Sequence, residues 1–349
     1  MRLNKTLIPG FLREIREESD VCISSRIRFA RNLDNHLFLL KASLKEQEEI
    51  IEEVKEVITK LNSFQFYSDE KLNEIFLNYL LERHLISPDF ILSKNKKGVF
   101  IDSEERISIM VNEEDHLRLQ VLGGGFSLDE IFIKINDIDD KLEKELPYSF
   151  SEKFGFLTAC PTNLGTGMRA SVMLHLPGLI LTNEMEKVVK AARSIGFLIR
   201  GIYGEGTKTI GSYFQIANQF TIGMKEEEIL TNTKNLIVQV INYERKAREY
   251  LLKNLKNEIE DRIWRAYGIL TNAKLLTSEE AINLLSTLRL GVCLEIIKKV
   301  SLLTINILTI LVKRANLMYY LKDENLTEEE RDYKRAVLVK KVLKGKKDE

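Results

Sequence analysis

Cys160-Pro161-Thr162-Asn163-Leu164-Gly165-Thr166-Gly167-Met168-Arg169-Ala170-Ser171 is the stretch on which the reading of this chain turns. Pro, Gly, Thr and Asn in close succession specify a tight irregular turn. Arg169 follows at the head of an apolar strand. Exposed backbone and a fixed guanidinium then stand together, which is what holding phosphate oxygens requires. Other short apolar or aromatic segments, at 154–159, 170–176 and 211–217, predict strands on either side. Ile107, Ile109 and Val111 alternate with Ser108 and Met110 in the same sense. Several strands with few helices between them favour an antiparallel sheet.

Helices are predicted where apolar residues recur every three or four positions. Ile50, Ile51, Val54, Val57, Ile58 and Leu61 do so behind a capping box of Ser43 and Glu46. Met185, Val188, Val189, Ala192 and Ile195 do so over 184–195, with Gly196 as the stop. All five prolines lie at or before Pro177, and glycine becomes rare beyond Gly223. Long helices are therefore expected past a boundary near 220–250. Thr277 with Glu280 and Thr327 with Glu330 mark further helix starts there.

A chain of 349 residues has room for two domains. Lys plus Arg and Asp plus Glu both number 52, so bulk charge excludes a general polyanion binder and any basic site is local. Cys22, Cys160 and Cys293 are few and far apart, which points to a reducing compartment without a disulfide framework. The start of the chain has no secretory apolar region, and Ser301–Val312 is too short to span a bilayer, reading instead as a buried helix. A cytoplasmic protein without membrane or direct nucleic-acid partners is the expectation.

Three clusters carry chemistry. In Ser24-Ser25-Arg26-Ile27-Arg28, the two arginines share one strand face, and an anion between them would relieve their repulsion; a solvated face paired with acids is the competing reading. Asn112-Glu113-Glu114-Asp115-His116-Leu117-Arg118 gathers three carboxylates, either as an exposed acidic turn or to face a cationic substrate. Arg200-Gly201-Ile202-Tyr203-Gly204-Glu205-Gly206 is a glycine-rich turn without Walker spacing. Gly123-Gly124-Gly125 is expected to be a turn. His84 reads as a surface or capping residue, and Cys160 as a packed cysteine with a possible reactive thiol.

In this order the clusters resemble the phosphagen (guanidino) kinases over about residues 21–247. Arg83 to Pro88, Met173 to Pro177, Arg200 to Gly206 and Arg331-Asp332-Tyr333-Lys334-Arg335-Ala336 narrow the resemblance to the bacterial protein-arginine kinases of that family, over nearly the whole chain. The resemblance implies an α+β glutamine-synthetase-like catalytic domain, a curved antiparallel sheet flanked by helices, at 21–247. A leader at 1–20 would precede it, and an all-helical domain at 248–349 would follow. It implies transfer from ATP, with Mg²⁺ carried by the nucleotide and no metal site of the protein's own. ATP contacts carry over to Ser24, Ser25, Arg26, Ile27, Arg28, His84, Arg118, Arg169, Ala170, Ser171, Val172, Met173, Arg200, Gly201, Ile202, Tyr203, Gly204 and Glu205. Glu114 and Glu205 become the substrate-facing carboxylates. Arg331, Asp332, Arg335 and Ala336 become a phosphoarginine pocket for allosteric control; by spacing alone, Arg331 and Arg335 would be an ordinary surface pair.

Arginine-bearing proteins are the implied substrates, with an activator subunit, a Clp-type protease and a second copy of the chain as implied partners. Two features depart from the small-molecule phosphagen kinases. Only a short leader precedes the catalytic part, and Lys208 stands where those enzymes place a Glu. Both favour a protein substrate over a free guanidino metabolite; a phosphoarginine-binding adaptor is the third reading.

Overall fold

The computed structural model describes residues 8–61, 63–201 and 209–344. Its centre is an eight-stranded antiparallel sheet, described here with strands numbered along the chain: β1 (Cys22–Arg31), β2 (Phe64–Ser68), β3 (Gly98–Asp102), β4 (Ile107–Val111), β5 (Leu117–Gly124), β8 (Met168–His175), β9 (Phe197–Gly201) and β10 (Tyr213–Asn218). Their order across the sheet is β2-β3-β4-β5-β1-β8-β10-β9. A two-stranded hairpin of β6 (Phe150–Ser151) and β7 (Gly155–Phe156) stands apart. The strand expected over 154–159 thus shrinks to two residues, because the chain turns away to form the loop that leads to Gly165.

Alternation gives the sheet two unlike faces. One carries Ile27, Phe29, Ile109, Leu119, Val121, Ala170, Val172 and Ile216, all buried in one hydrophobic cluster. The helices packed there are α1 (Leu44–Thr59), α4 (Leu128–Glu143), α6 (Met185–Ser194) and α7 (Glu226–Asn254). Ile131, Ile135, Ile138 and Leu142 line the inner stripe of α4 at helical spacing. Caps form as the sequence specifies. Ser43 accepts the Glu46 amide, Thr277 accepts the Glu280 amide, and Thr327 and Glu330 cap reciprocally.

The other face is covered only at its margins. Helices α2 (Glu74–Glu82), α3 (Pro88–Leu92) and the C-terminal α8 (Lys256–Asn272), α9 (Ser278–Cys293), α10 (Leu302–Leu311) and α12 (Glu328–Lys344) build a second core there with Val99, Met110 and Leu122, while α11 (Arg314–Leu321) packs through Leu317 into a smaller cluster with Ile307, Leu311 and Leu338. The short α5 (Pro177–Leu181) packs on α7. The boundary expected at 247/248 falls inside α7, a helix seated on β8 and β10. Among the described residues no single helix is long and apolar enough to cross a membrane.

Gly123 and Gly124 belong to β5 rather than to a turn. The N-terminal segment packs so closely that a β-carbon on Gly124 would lie 2.4 Å from the Phe11 carbonyl. Gly124 thus admits a neighbouring backbone and Gly123 the Ser127 and Ile131 side chains, a close approach that composition alone reads as flexibility.

Candidate active site

Antiparallel register stacks alternate residues into rows on the open face. Gln120, Arg28 and Arg169 form one row. Leu122, Arg26, Ser171, Ala217 and Leu198 form the next, and Gly124, Ser24, Met173, Gln215 and Arg200 a third. A cavity of about 820 Å³ lies over these rows, lined by Arg26, Arg28, Arg118, Arg169 and Arg200 with Ser24, His84, Ser171, Met173 and Gly201. Five arginines separated by up to 174 positions in sequence therefore share one cleft.

Most of this charge is uncompensated. Arg26, Arg28 and Arg169 have no ion-pair partner among the described residues, and Arg26 Nε is a buried donor without an acceptor. Burial pushes the Arg26 guanidinium down to about 9, with Arg118 and Arg169 adding repulsion. Burial and the same neighbours push Arg28 well below its ordinary value. Arg169 is lowered by burial, then by Arg200 and Arg118. The crowding costs free energy, and a bound polyanion would offset that cost.

The turn before Arg118 divides its three carboxylates by role. Glu113 is buried, pairs with Arg118 at 2.5 Å and accepts from the Ser87 hydroxyl. Burial raises its pKa, but Arg118 and these hydrogen bonds outweigh that and leave it below the ordinary value. Asp115 is buried as well and accepts from Asn32 Nδ2 and the Ala159 amide, each at 2.6 Å, fastening the segment before Cys160 to the turn. His116 Nδ1 accepts the Leu33 amide at 3.0 Å and burial lowers its pKa to about 4, so the ring is a neutral brace. Asn112, at a φ of 59°, starts the turn and ties its side-chain amide to the Gln47 and Lys96 carbonyls.

Glu114 alone of the three remains exposed. It is not among the residues lining the cavity, but it is electrostatically coupled to Arg118 and Arg169, which are. Burial of part of the carboxyl raises its pKa, as do Asp115 and Glu113, while Arg118 and the adjacent Cys160 thiol oppose the rise. Cys160 Sγ lies 3.1 Å from Thr162 Oγ1. The loop that brings Cys160 to Glu114 depends on Gly167, at a φ of 64°, where a β-carbon would lie 2.6 Å from the Ala30 carbonyl.

Not every residue expected at the site turns its side chain toward the cleft. Ser25, Ile27, Ala170 and Val172 alternate to the opposite face, so their side chains point away from the cleft. Ser25 Oγ instead donates to the Gly125 carbonyl at 2.9 Å and accepts the Ser127 amide at 3.0 Å. Ile202, Tyr203, Gly204, Glu205, Gly206 and Lys208 lie outside the described residues. His84 is not a surface residue but lines the cavity, and burial, Lys313 and Arg26 drive its pKa well below the ordinary value.

Arg331 and Arg335 do not form a surface pair either. Arg335 is buried, bonding the Val312 and Leu276 carbonyls at 2.7 Å each and Asp332 at 2.5 Å, while Arg331 donates to the Leu326 carbonyl at 2.6 Å. Ala336 is in the core. Residues missed by sequence reasoning include Glu113, Gln120 and Lys313. Gln120 was within reach, being two residues from Arg118 on one strand; Lys313 had no local signal.

A basic cleft on the open face of an antiparallel sheet, with the exposed Glu114 carboxylate electrostatically coupled to two of its arginines, defines a domain for phosphoryl transfer to a guanidinium group. The family model described as "ATP:guanido phosphotransferase, C-terminal catalytic domain" matches residues 46–247. The model described as "Protein-arginine kinase McsB C-terminal domain" matches residues 256–349. A protein-arginine kinase of Clostridium tetani (strain Massachusetts / E88) is 47% identical over 94% of this chain and 97% of its own length.

Among solved structures, lombricine kinase superposes with a TM-score of 0.57 at 23% identity, over 70% of each chain. The substrate-free duplicated taurocyamine kinase of Schistosoma mansoni gives a TM-score of 0.59 at 22% identity, over 68% of this chain and 36% of that duplicated one. The chain belongs to the protein-arginine kinase family of ATP:guanido phosphotransferases.

Proposed function

We propose that this protein transfers the γ-phosphoryl group of ATP to the guanidinium of arginine side chains in proteins. The observation that carries the reading is the set of arginines gathered in one cleft, of which Arg26, Arg28 and Arg169 have no ion-pair partner among the described residues, with the exposed Glu114 carboxylate electrostatically coupled to Arg118 and Arg169. Arg26, Arg28, Arg118, Arg169 and Arg200 hold the phosphates, and His84 serves the same nucleotide as a neutral ring. The donor set of the cleft suits an anion, so Mg²⁺ would be held by the phosphate oxygens of ATP, where it neutralises charge as the phosphoryl group moves.

Glu114 orients the incoming guanidinium, whose pKa above about 12 makes it a poor nucleophile while protonated. A guanidinium nitrogen attacks the γ-phosphorus and forms the P–N bond. The bond from phosphorus to the oxygen of ADP breaks, and the proton leaves that nitrogen for the Glu114 carboxylate. Glu205 is the proposed second carboxylate. The arginine floor stabilises the charge spread over the transferring group.

Family resemblance also supports a wider proposal. Modified proteins would pass to a Clp-type protease, an activator subunit would assist, and the working form would be a homodimer in the cytoplasm. Arg331 and Asp332, only half-buried, would be the accessible part of an allosteric phosphoarginine site built around Arg335 and Ala336. The kinase reading is tested by incubating the protein with Mg-ATP and either an arginine-rich protein or free arginine. Acid-labile phosphate on the protein alone is expected; phosphate on free arginine alone would overturn the substrate assignment.

A further inference from the structure

The cavity has a second wall that no sequence motif announces. Ser278, Glu279, Lys313 and Arg314, from the starts of α9 and α11, line it together with the arginines of the sheet. Lys313 is buried and its ammonium donates to the Glu82 carbonyl at 2.9 Å, across 231 positions of sequence. The Glu82 carboxylate accepts the Ala315 and Asn316 backbone amides at 3.0 and 2.8 Å, and the Asn316 side-chain amide at 2.8 Å. An acid from another part of the chain thus caps the first turn of α11, where free N–H groups and the helix dipole both favour it. Arg83 closes the junction, with Nη1 3.0 Å from Asn316 Oδ1 and an ion pair to Glu105.

The next residue is His84. Its φ of 63° is a conformation that residues with a β-carbon seldom hold unless their surroundings impose it. Its carbonyl accepts Gln120 Nε2 at 2.6 Å, which ties the same turn to the sheet.

We propose that Glu82 and Lys313 are positioning residues of the nucleotide site: the start of α11 clamps the Glu82–His84 turn, and the clamp sets where the His84 ring meets ATP. This rests on reading the cleft as the ATP site. Under it, the C-terminal helices are part of the nucleotide site. The clamp is wired further outward, since Arg335 and Ser278 both bond the Val312 carbonyl, immediately before Lys313.

The test uses the full chain with Glu82→Ala, Glu82→Gln, Lys313→Met and Lys313→Arg. ATP affinity is measured by titration calorimetry, KM for ATP and kcat by protein phosphorylation, and folding by thermal melting. Glu82→Ala and Lys313→Met should weaken ATP binding and raise its KM roughly tenfold, with kcat at saturating ATP within about twofold; Lys313→Arg should recover most of the loss. If Glu82→Ala does not fold, Glu82→Gln carries the same comparison at a smaller expected loss. ATP affinity and KM within about twofold of the parent in folded variants, or a fall in kcat alone, would sink the clamp. A parent that binds ATP but transfers no phosphate would sink the kinase reading instead, leaving the calorimetry to judge the clamp.

Discussion

Arg28 and Arg31 sit three residues apart on β1 and have opposite fates. Arg28 faces the cleft, without an ion-pair partner among the described residues. Arg31 faces the other way. It bonds Asp139 through Nε and Nη2 at 3.1 and 2.6 Å, and the Ala30 and Thr166 carbonyls through Nη1 at 3.0 and 2.9 Å. The Phe156 ring stacks 3.7 Å from its guanidinium carbon. An arginine whose donors are met by the protein itself holds the fold together. One left among like charges is held ready for an anion from outside. Arg31 serves the site at one remove, through the Thr166 carbonyl in the loop before Arg169.

The sharpest break in this comparison would come from the carboxylate side. Glu114→Gln should keep ATP binding and lose about 10²–10⁴-fold in kcat, the usual worth of general-base help. Because the base acts unprotonated, kcat/KM should rise with pH through the Glu114 pKa, and its partly buried, acid-flanked setting places that rise above the ordinary 4.5. A fully active Glu114→Gln enzyme would remove the base assignment.

The two arginines themselves come next. Arg31→Met should destabilise the fold by about 3–5 kcal/mol, since it strands a buried Asp139. Arg28→Met should leave the urea midpoint unchanged or raised, yet cost roughly 10²-fold in kcat/KM, or about 2.7 kcal/mol of transition-state stabilisation. Denaturation curves and steady-state kinetics on both variants check this; equal destabilisation by the two would erase the distinction drawn here.

The smallest effect belongs to the exposed pair of Lys234 and Asp129, 2.6 Å apart on the surface. Lys234→Ala should shift stability by less than about 1 kcal/mol, less still at high salt, and leave kinetics untouched. A larger shift in the melting curve would mean that partnership alone does not rank these cations.

Local chemistry made much of the site legible. Alternation placed Arg26 and Arg28 on one face, and the structure keeps them there. The turn at 112–118 was recognisable as a carboxylate cluster, but not which carboxylate was spare. Glu113 and Asp115 lose that status to Arg118, Ser87, Asn32 and the Ala159 amide, groups from four different segments. Spacing also put Arg335 on a helix face without revealing that the face is interior.

The amino-acid order by itself determined the elements and their sidedness: strand alternation, helix caps, the tight turn ahead of Arg169, and the arginines and carboxylates that chemistry requires. Only the tertiary structure decided which of those charges are spent and which are free, and that Lys313 reaches the wall of the cleft. The physical reason is that hydrogen-bond and ion-pair satisfaction depends on acceptors brought close by packing, often from hundreds of residues away, whereas periodicity and capping depend on neighbours three or four positions along the chain.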